Sequence, residues 1–248
     1  MLRGLWRLTW LETKIFVREP LGVFGTVGAP VLVFLGVGRL LGGRARPSGA
    51  AVPGLVADLP VLVAMFVAVS AILSLVAIMA IYREGGILKR LRATPLGPST
   101  ILTAHVLVKL FFSAITLALM AVLGRSFVPA GVDAPWLPFG VAVLFSLACV
   151  LSTGFVIAAV VPTARFAQPL GALVLYPMLG LSGLFVPVDA LPAGLQLVAR
   201  ALPFTYAVSL QRGIWHGESW AGHASDIAVL ALVFGLSVAV SARVFRWE

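Results

Sequence analysis

The sequence predicts an all-α polytopic membrane protein with six transmembrane helices. An amphipathic interfacial helix precedes them, a short helix sits in a cytoplasmic loop, and a re-entrant helical hairpin lies between spans five and six. Three observations carry that reading. Of 248 residues, 60% are hydrophobic and 11% charged, with mean hydropathy +1.08, whereas soluble domains are about 25% charged; a soluble fold of this size would lack the polar residues to cover its surface. Apolar runs of about 20 residues, the length a helix needs to cross about 30 Å of hydrocarbon, recur six times. The basic residues lie between these runs instead of forming one patch, so the net charge of +9 does not point to nucleic acid. The whole chain, 1–248, reads as a single transmembrane domain.

Residues 1–20 come first. At 100° per residue Arg3, Arg7, Lys14 and Arg18 fall within about 60° of one another, and Leu2, Trp6, Trp10, Phe16 and Val17 cover the adjoining arc. A helix of this kind lies in the membrane plane, with its cations among headgroups and its tryptophans at the acyl boundary. The charged stretch is too long for a cleavable leader and has no clear small-residue cleavage site after it, so the N-terminus is expected to be retained.

The apolar runs are 21–41, 59–82, 104–124, 138–161, 168–186 and 224–244. The first carries Gly22, Gly25 and Gly28 at threefold spacing, a pattern that lets helices approach closely. The fifth carries Pro169 and Pro177 with Gly171, Gly180 and Gly183, which predicts a kinked, close-packing helix and a candidate moving part. Six spans put both termini on one side. That side collects Arg3, Arg7, Lys14, Arg18, Arg83, Lys89, Arg90, Arg92, Arg165, Arg243 and Arg246, against Arg39, Arg44, Arg46, Arg125, Arg200 and Arg212 on the other, so both termini are expected in the cytoplasm.

Two connections have character of their own. Residues 83–95 are too polar to cross and are bounded by Gly85-Gly86 and Pro95, which leaves room for about two helical turns; Ile87, Leu88 and Leu91 share one face while Lys89, Arg90 and Arg92 point elsewhere. Such a helix docks its apolar residues and keeps charge at the rim. Residues 187–223 are as apolar as a span, but Pro187, Pro192 and Pro203 divide them into pieces too short to cross, so a hairpin dipping into the outer leaflet is expected.

The search for chemistry is brief. No G-x-x-x-x-G-K-[ST] loop or G-x-S-x-G elbow occurs, and the single cysteine, Cys149, lies within an apolar run. His216, Glu218, His223 and Asp226 gather near the start of the last span. Their spacing matches no established metal site, and they read as solvated polar residues at the membrane edge, with a metal or catalytic centre as the alternative. Lys109 is four or five residues into the third span and is expected to snorkel to the cytoplasmic surface, while Asp58 and Asp226 are placed at the outer interface. No charge is left for the midplane, which argues against a self-sufficient proton-coupled carrier.

Three segments together resemble the permease subunits of type-2 ABC exporters, the group that includes the daunorubicin-resistance type of drug permease and the polysaccharide exporters. Arg18-Glu19-Pro20 leads from the amphipathic helix into the first span. The run from Arg83-Glu84-Gly85-Gly86 through Ile87-Leu88-Lys89-Arg90-Leu91-Arg92-Ala93-Thr94-Pro95-Leu96 looks like the family's R-E-x-G-[TI]-L-[KE]-R-L-x-A-T-P-[LV] signature. Ser182-Gly183-Leu184-Phe185-Val186-Pro187, then Leu191-Pro192 and Leu202-Pro203-Phe204-Thr205-Tyr206, looks like its S-G-x-x-x-P … L-P … L-P-x-T-Y segment.

The resemblance implies a half-transporter in the cell membrane. Two copies of the chain would pair across a pathway, and two soluble ABC ATPase subunits holding ATP and Mg would dock from the cytoplasm, leaving no cofactor, metal or catalytic residue in this chain. Residues 83–95 would be the coupling helix, with Arg83, Glu84, Gly85, Ile87, Leu88, Lys89, Arg90, Leu91, Arg92, Thr94 and Pro95 meeting the ATPase. Residues 1–20, with Arg3, Arg7, Lys14, Arg18 and Glu19, would be the connecting helix, and Pro187, Pro192, Pro203, Thr205 and Tyr206 would belong to the outer gate. The short first outer loop, 42–57, favours a small or lipidic substrate. The competing readings are a stand-alone carrier or channel, and an intramembrane enzyme built on His216, Glu218, His223 and Asp226.

Overall fold

The computed structural model describes residues 2–42, 58–86, 98–127, 135–161 and 163–244. No strand occurs among them. In order they form α1 (Leu2–Val17), α2 (Pro20–Val23), a π turn (Phe24–Gly28), α3 (Ala29–Gly42), α4 (Leu59–Glu84), α5 (Pro98–Phe127), α6 (Trp136–Val160) and α7 (Ala164–Gly180). A 3-10 turn (Val188–Ala190), α8 (Ala193–Ala201), α9 (Pro203–Trp215), a second 3-10 turn (Trp220–His223) and α10 (Ala224–Val244) complete the chain. Among the described residues four helical stretches are long and apolar enough to cross a membrane: Leu59–Glu84, Thr100–Gly124, Trp136–Ala159 and Trp220–Ser241.

Helix α4 is the axis of the bundle. It is apolar around its whole circumference, and such a helix is stable only where protein surrounds it; Val61, Met65, Ile72, Leu75, Val76 and Met79 are all buried. It packs against α6, α7 and α3, while α10 packs on α6 and α9. Leu232, Leu236 and Val240 form an exposed stripe along α10 at fourfold spacing. Between apolar helices in an apolar solvent, association depends on close packing, so small residues mark the contacts. A Cβ on Gly154 of α6 would stand 3.0 Å from Ile72 Cγ2, and one on Gly171 of α7 would stand 2.9 Å from Leu73 Cδ2. Of the triplet expected to serve this purpose, Gly22 faces Phe16 of α1, where a Cβ would stand 3.5 Å from Cε2, whereas Gly28 accommodates Phe24 of its own π turn and nothing approaches Gly25 within 4 Å.

The structure departs from the sequence reading in four further places. The first apolar run is interrupted by the π turn, where the Thr26 carbonyl accepts a hydrogen bond from Thr116 Oγ1 on α5 (3.1 Å). Arg83 and Glu84, assigned by sequence to a loop, form the last turn of α4, because nothing disfavours helix until the glycine pair. Helix α7 ends at Gly180, and the remainder of the expected fifth span, 181–186, turns beneath α9. Lys109 does not snorkel: its side chain is 2% exposed, with Nζ donating to Ser74 Oγ (2.7 Å) and lying 4.5 Å from the centre of the Phe16 ring. The expected coupling residues Ile87, Leu88, Lys89, Arg90, Leu91, Arg92, Thr94 and Pro95 lie outside the described residues, as does most of the first outer loop.

Candidate functional site

Three consecutive residues close α4. Successive helical side chains diverge by 100°, so Tyr82, Arg83 and Glu84 reach three different elements. Tyr82 OH donates to Glu12 Oε1 on α1 (2.8 Å). The Arg83 guanidinium donates to the carbonyls of Ala158 and Ala159 (3.5 Å each) and to that of Val161, all at the end of α6. Glu84 Oε1 accepts the Ala164 N–H at the start of α7 (2.9 Å).

The chemistry of each contact matches the helix end it meets. The last carbonyls of a helix lack partners within it and carry partial negative charge, which suits a guanidinium; the first N–H groups carry the opposite charge, which suits a carboxylate. Thr163, at the N-cap of α7, makes no side-chain cap bond, so Glu84 supplies from another helix what the local sequence does not. Immediately afterwards Gly86 takes φ +63°, a left-handed conformation that costs glycine little and ends the helix.

Beside this junction α1 is anchored by two residues of one face, Glu12 and Phe16, both buried. Phe16 stacks on Phe112 of α5, with ring centroids 4.5 Å apart. The Glu12 carboxyl is pushed above its ordinary range by burial, with the Tyr82 hydrogen bond and the Lys109 charge acting the other way. Its second oxygen lies 3.8 Å from His105 Nδ1. Arg7, Lys14, Arg18 and Glu19 are exposed, as are Trp6 and Trp10 on the same helix. A cleft of about 450 Å³ opens between α4 and α7, walled by Phe66, Leu73 and Ala77 with polar groups from Glu19, Ser70, Ser74, Gln168 and Tyr176.

A second polar assembly closes the opposite end of α4. Asp58 meets Arg212 Nε at 2.7 Å and His216 Nε2 at 2.7 Å, both from the end of α9. The Arg212 guanidinium also donates to the carbonyls of Gly183 (3.0 Å) and Leu184 (3.2 Å), holding the turn after α7. The four residues grouped by sequence near the last span therefore separate into two sets. His216 belongs with Asp58, whereas His223 lies between Asp226 Oδ2 (2.8 Å) and Glu218 Oε2 (3.0 Å), and Ser209 donates to the same Asp226 oxygen (2.8 Å). His223 and Asp226 are buried and not solvated, and no group of three such side chains among the described residues is placed to hold a metal ion.

The hairpin residues are engaged locally. Thr205 Oγ1 and Tyr206 OH donate to the carbonyls of Ala199 and Arg200 (2.6 Å each), closing the end of α8, while Pro203 begins α9 and Phe204 enters the core. Pro187 and Pro192 are exposed at the two turns before α8. Sequence reasoning missed Glu12 and Tyr82. The available signal was a lone acid in the middle of a basic amphipathic helix, and a tyrosine at the end of an apolar span.

Residues 3–215 match the family model described as ABC-2 type transporter. Nodulation protein J of Rhizobium leguminosarum bv. viciae is 34% identical over 95 residues, which is 38% of this chain and 37% of that protein. The match thus spans little more than a third of that relative's length. No solved structure matches. With a family match over residues 3–215 and, among the described residues, four helices long and apolar enough to cross a membrane, the chain belongs to the ABC-2 type transporter family and is a membrane component of a transporter.

Proposed function

We propose that the chain is the permease subunit of an ATP-driven exporter that moves a hydrophobic or amphipathic substrate, such as a drug, a lipid or a lipid-linked glycan, across the cell membrane. The chain crosses six times, the helical stretch 20–42 and α7 adding two shorter crossings to the four long ones, with both termini in the cytoplasm. Two copies pair, and two separate ABC ATPase subunits hydrolyse ATP with Mg. The coupling segment lies within 83–95, beyond the end of α4, α1 lies in the membrane plane against lipid as the connecting helix, and the turn at 183–187 with the hairpin 187–223 forms the outer gate.

The family match carries this reading. It is supported by the position of the basic run 83–95, which leaves directly from the residues that join α4 to α1, α6 and α7. A short rigid segment fixed between two crossings passes on rigid-body motion, and nucleotide binding biases the pathway only through contacts that differ between its states. The exposed Trp6 and Trp10 on α1 suit the headgroup boundary.

The test is co-expression with the candidate ATPase, mild-detergent purification, and measurement of stoichiometry and ATP hydrolysis. A two-plus-two complex whose hydrolysis changes on Leu91→Ala or Arg90→Ala is the expected result. A chain that purifies alone, binds no ATPase and transports unaided would overturn the reading.

A further inference from the structure

We propose that Arg83 and Glu84, although they belong to the signature that the resemblance assigns to ATPase docking, are positioning residues: they clamp the end of α4 to the α6–α7 junction, so that displacement of the loop after Gly86 is delivered to α7. This inference rests on the exporter reading and specifies how motion would leave the coupling segment.

The geometry engages both side chains within this chain, Arg83 partly buried and Glu84 exposed. Arg83 is occupied by three carbonyls at the end of α6, and Glu84 by the first N–H of α7. Helix α7 packs on α4, and less extensively on α9. Its N-terminal end is therefore held by Glu84 together with α4 packing, where Gly171 admits Leu73. The same helix walls the cleft through Gln168 and Tyr176. A push on the end of α4 accordingly reaches the α7 wall of the cleft through the Glu84–Ala164 contact together with the packing of α4 on α7, while α4 itself forms the other wall.

The two alternatives for Glu84 make opposite chemical demands. A cap needs only an oxygen that accepts an N–H, which glutamine retains; an ion pair with a basic ATPase residue needs the charge, which glutamine loses. Arg83 offers the parallel case, since lysine keeps several donors for carbonyls on a shorter, less directional head.

The experiment uses the full chain with its co-purified ATPase in lipid vesicles, and compares Glu84→Ala, Glu84→Gln, Arg83→Ala and Arg83→Lys. ATPase retained per permease and ATP hydrolysis are measured together. In the same series, spin labels on the exposed Ile81 and Phe166, in a Cys149→Ala background, report the separation of the α4 end from the α7 start. The expected result is unchanged ATPase retention in all variants and a loss of about fivefold or more in permease-dependent hydrolysis for Glu84→Ala. Glu84→Gln recovers most of that loss, and the spin-label distance distribution broadens in the alanine variants alone. Loss of ATPase from the Glu84→Gln complex to the same degree as from Glu84→Ala would overturn the clamp in favour of a docking ion pair. So would an Ile81–Phe166 distance unaffected by Glu84→Ala. If the wild-type chain retains no ATPase, the exporter reading falls and the transmission role falls with it, whereas the distances still report whether Glu84 holds α7.

Discussion

Asp58 and Arg212 stand 2.7 Å apart, joining the residue that precedes α4 to the last turn of α9. Arg212 simultaneously satisfies the Gly183 and Leu184 carbonyls, so a single guanidinium ties three segments at the end of the bundle opposite Arg83. Arg212→Ala strands two carbonyls and leaves the mostly buried Asp58 carboxylate with His216 as its remaining partner. Hydrogen bonds to charged groups contribute about 1.5–3 kcal/mol each, so the thermal midpoint in detergent should fall by several degrees, with Asp58→Asn falling less because the carbonyl bonds survive.

Gly213 is required by its neighbour. A Cβ there would lie 1.8 Å from His223 Nε2, so Gly213→Ala must expel the imidazole from between Asp226 and Glu218. We expect a loss of about 2 kcal/mol or more, and the double variant Gly213→Ala/His223→Ala should be more stable than the sum of the single losses. A double-mutant cycle in chemical denaturation measures this coupling; strict additivity would show that the histidine moves aside freely.

Lys109 fills space as well as carrying charge. Replacing it with methionine keeps most of the volume and removes a buried cation, and exchanges of that kind range from neutral to stabilising. Lys109→Met should therefore stay within about 1 kcal/mol of the parent, whereas Lys109→Ala, which leaves a cavity between Phe16 and Ser74, should cost about 2–5 kcal/mol. Equal losses from both would show that the charge, not the volume, is what the site needs.

The docking of α1 should depend on pH through Glu12. Burial raises this carboxyl above its ordinary 4.5, so the folded state binds its proton more tightly than the free chain does. The associated stability is fully present below pH 4.5 and is lost as pH rises through the raised value. Amide protection of α1, corrected for intrinsic exchange, should decrease across that window. Glu12→Gln, which keeps an acceptor for Tyr82, should remove the slope; a slope that persists would place its origin in another group.

What was legible in the sequence followed from period and length. The apolar runs became helices because twenty residues without a polar break leave few other solutions, and α1 was readable because its charges recur on one arc. The contacts at the helix ends were not readable, because they join residues far apart in sequence through atoms with no periodic signature. Arg83 and Glu84 stood inside a recognisable motif, yet their partners are main-chain groups of Val161 and Ala164, which no side-chain pattern encodes. Lys109 is illegible for a related reason: distance from a span edge does not measure distance from water when α1 covers that edge through Phe16 and Glu12. The grouping of His216 with His223 rested on chain proximity, and the turn between them sends the two imidazoles to different carboxylates.

The π turn at Phe24–Gly28 gives the helical stretch 20–42 a phase step. A turn that closes on the fifth residue instead of the fourth absorbs one extra residue, so a helical wheel drawn through 20–42 as one continuous α-helix misassigns one half by nearly 100°. The half bearing Gly22 and the half bearing Val31 and Phe34 are thus out of phase, the former turned toward Phe16 of α1, the latter toward Trp136. Deleting one residue within the turn would leave the helix its length and most of its hydrogen bonds while rotating one end against the other, so the pairing of its two faces is encoded in the residue count of that turn as well as in the side chains themselves.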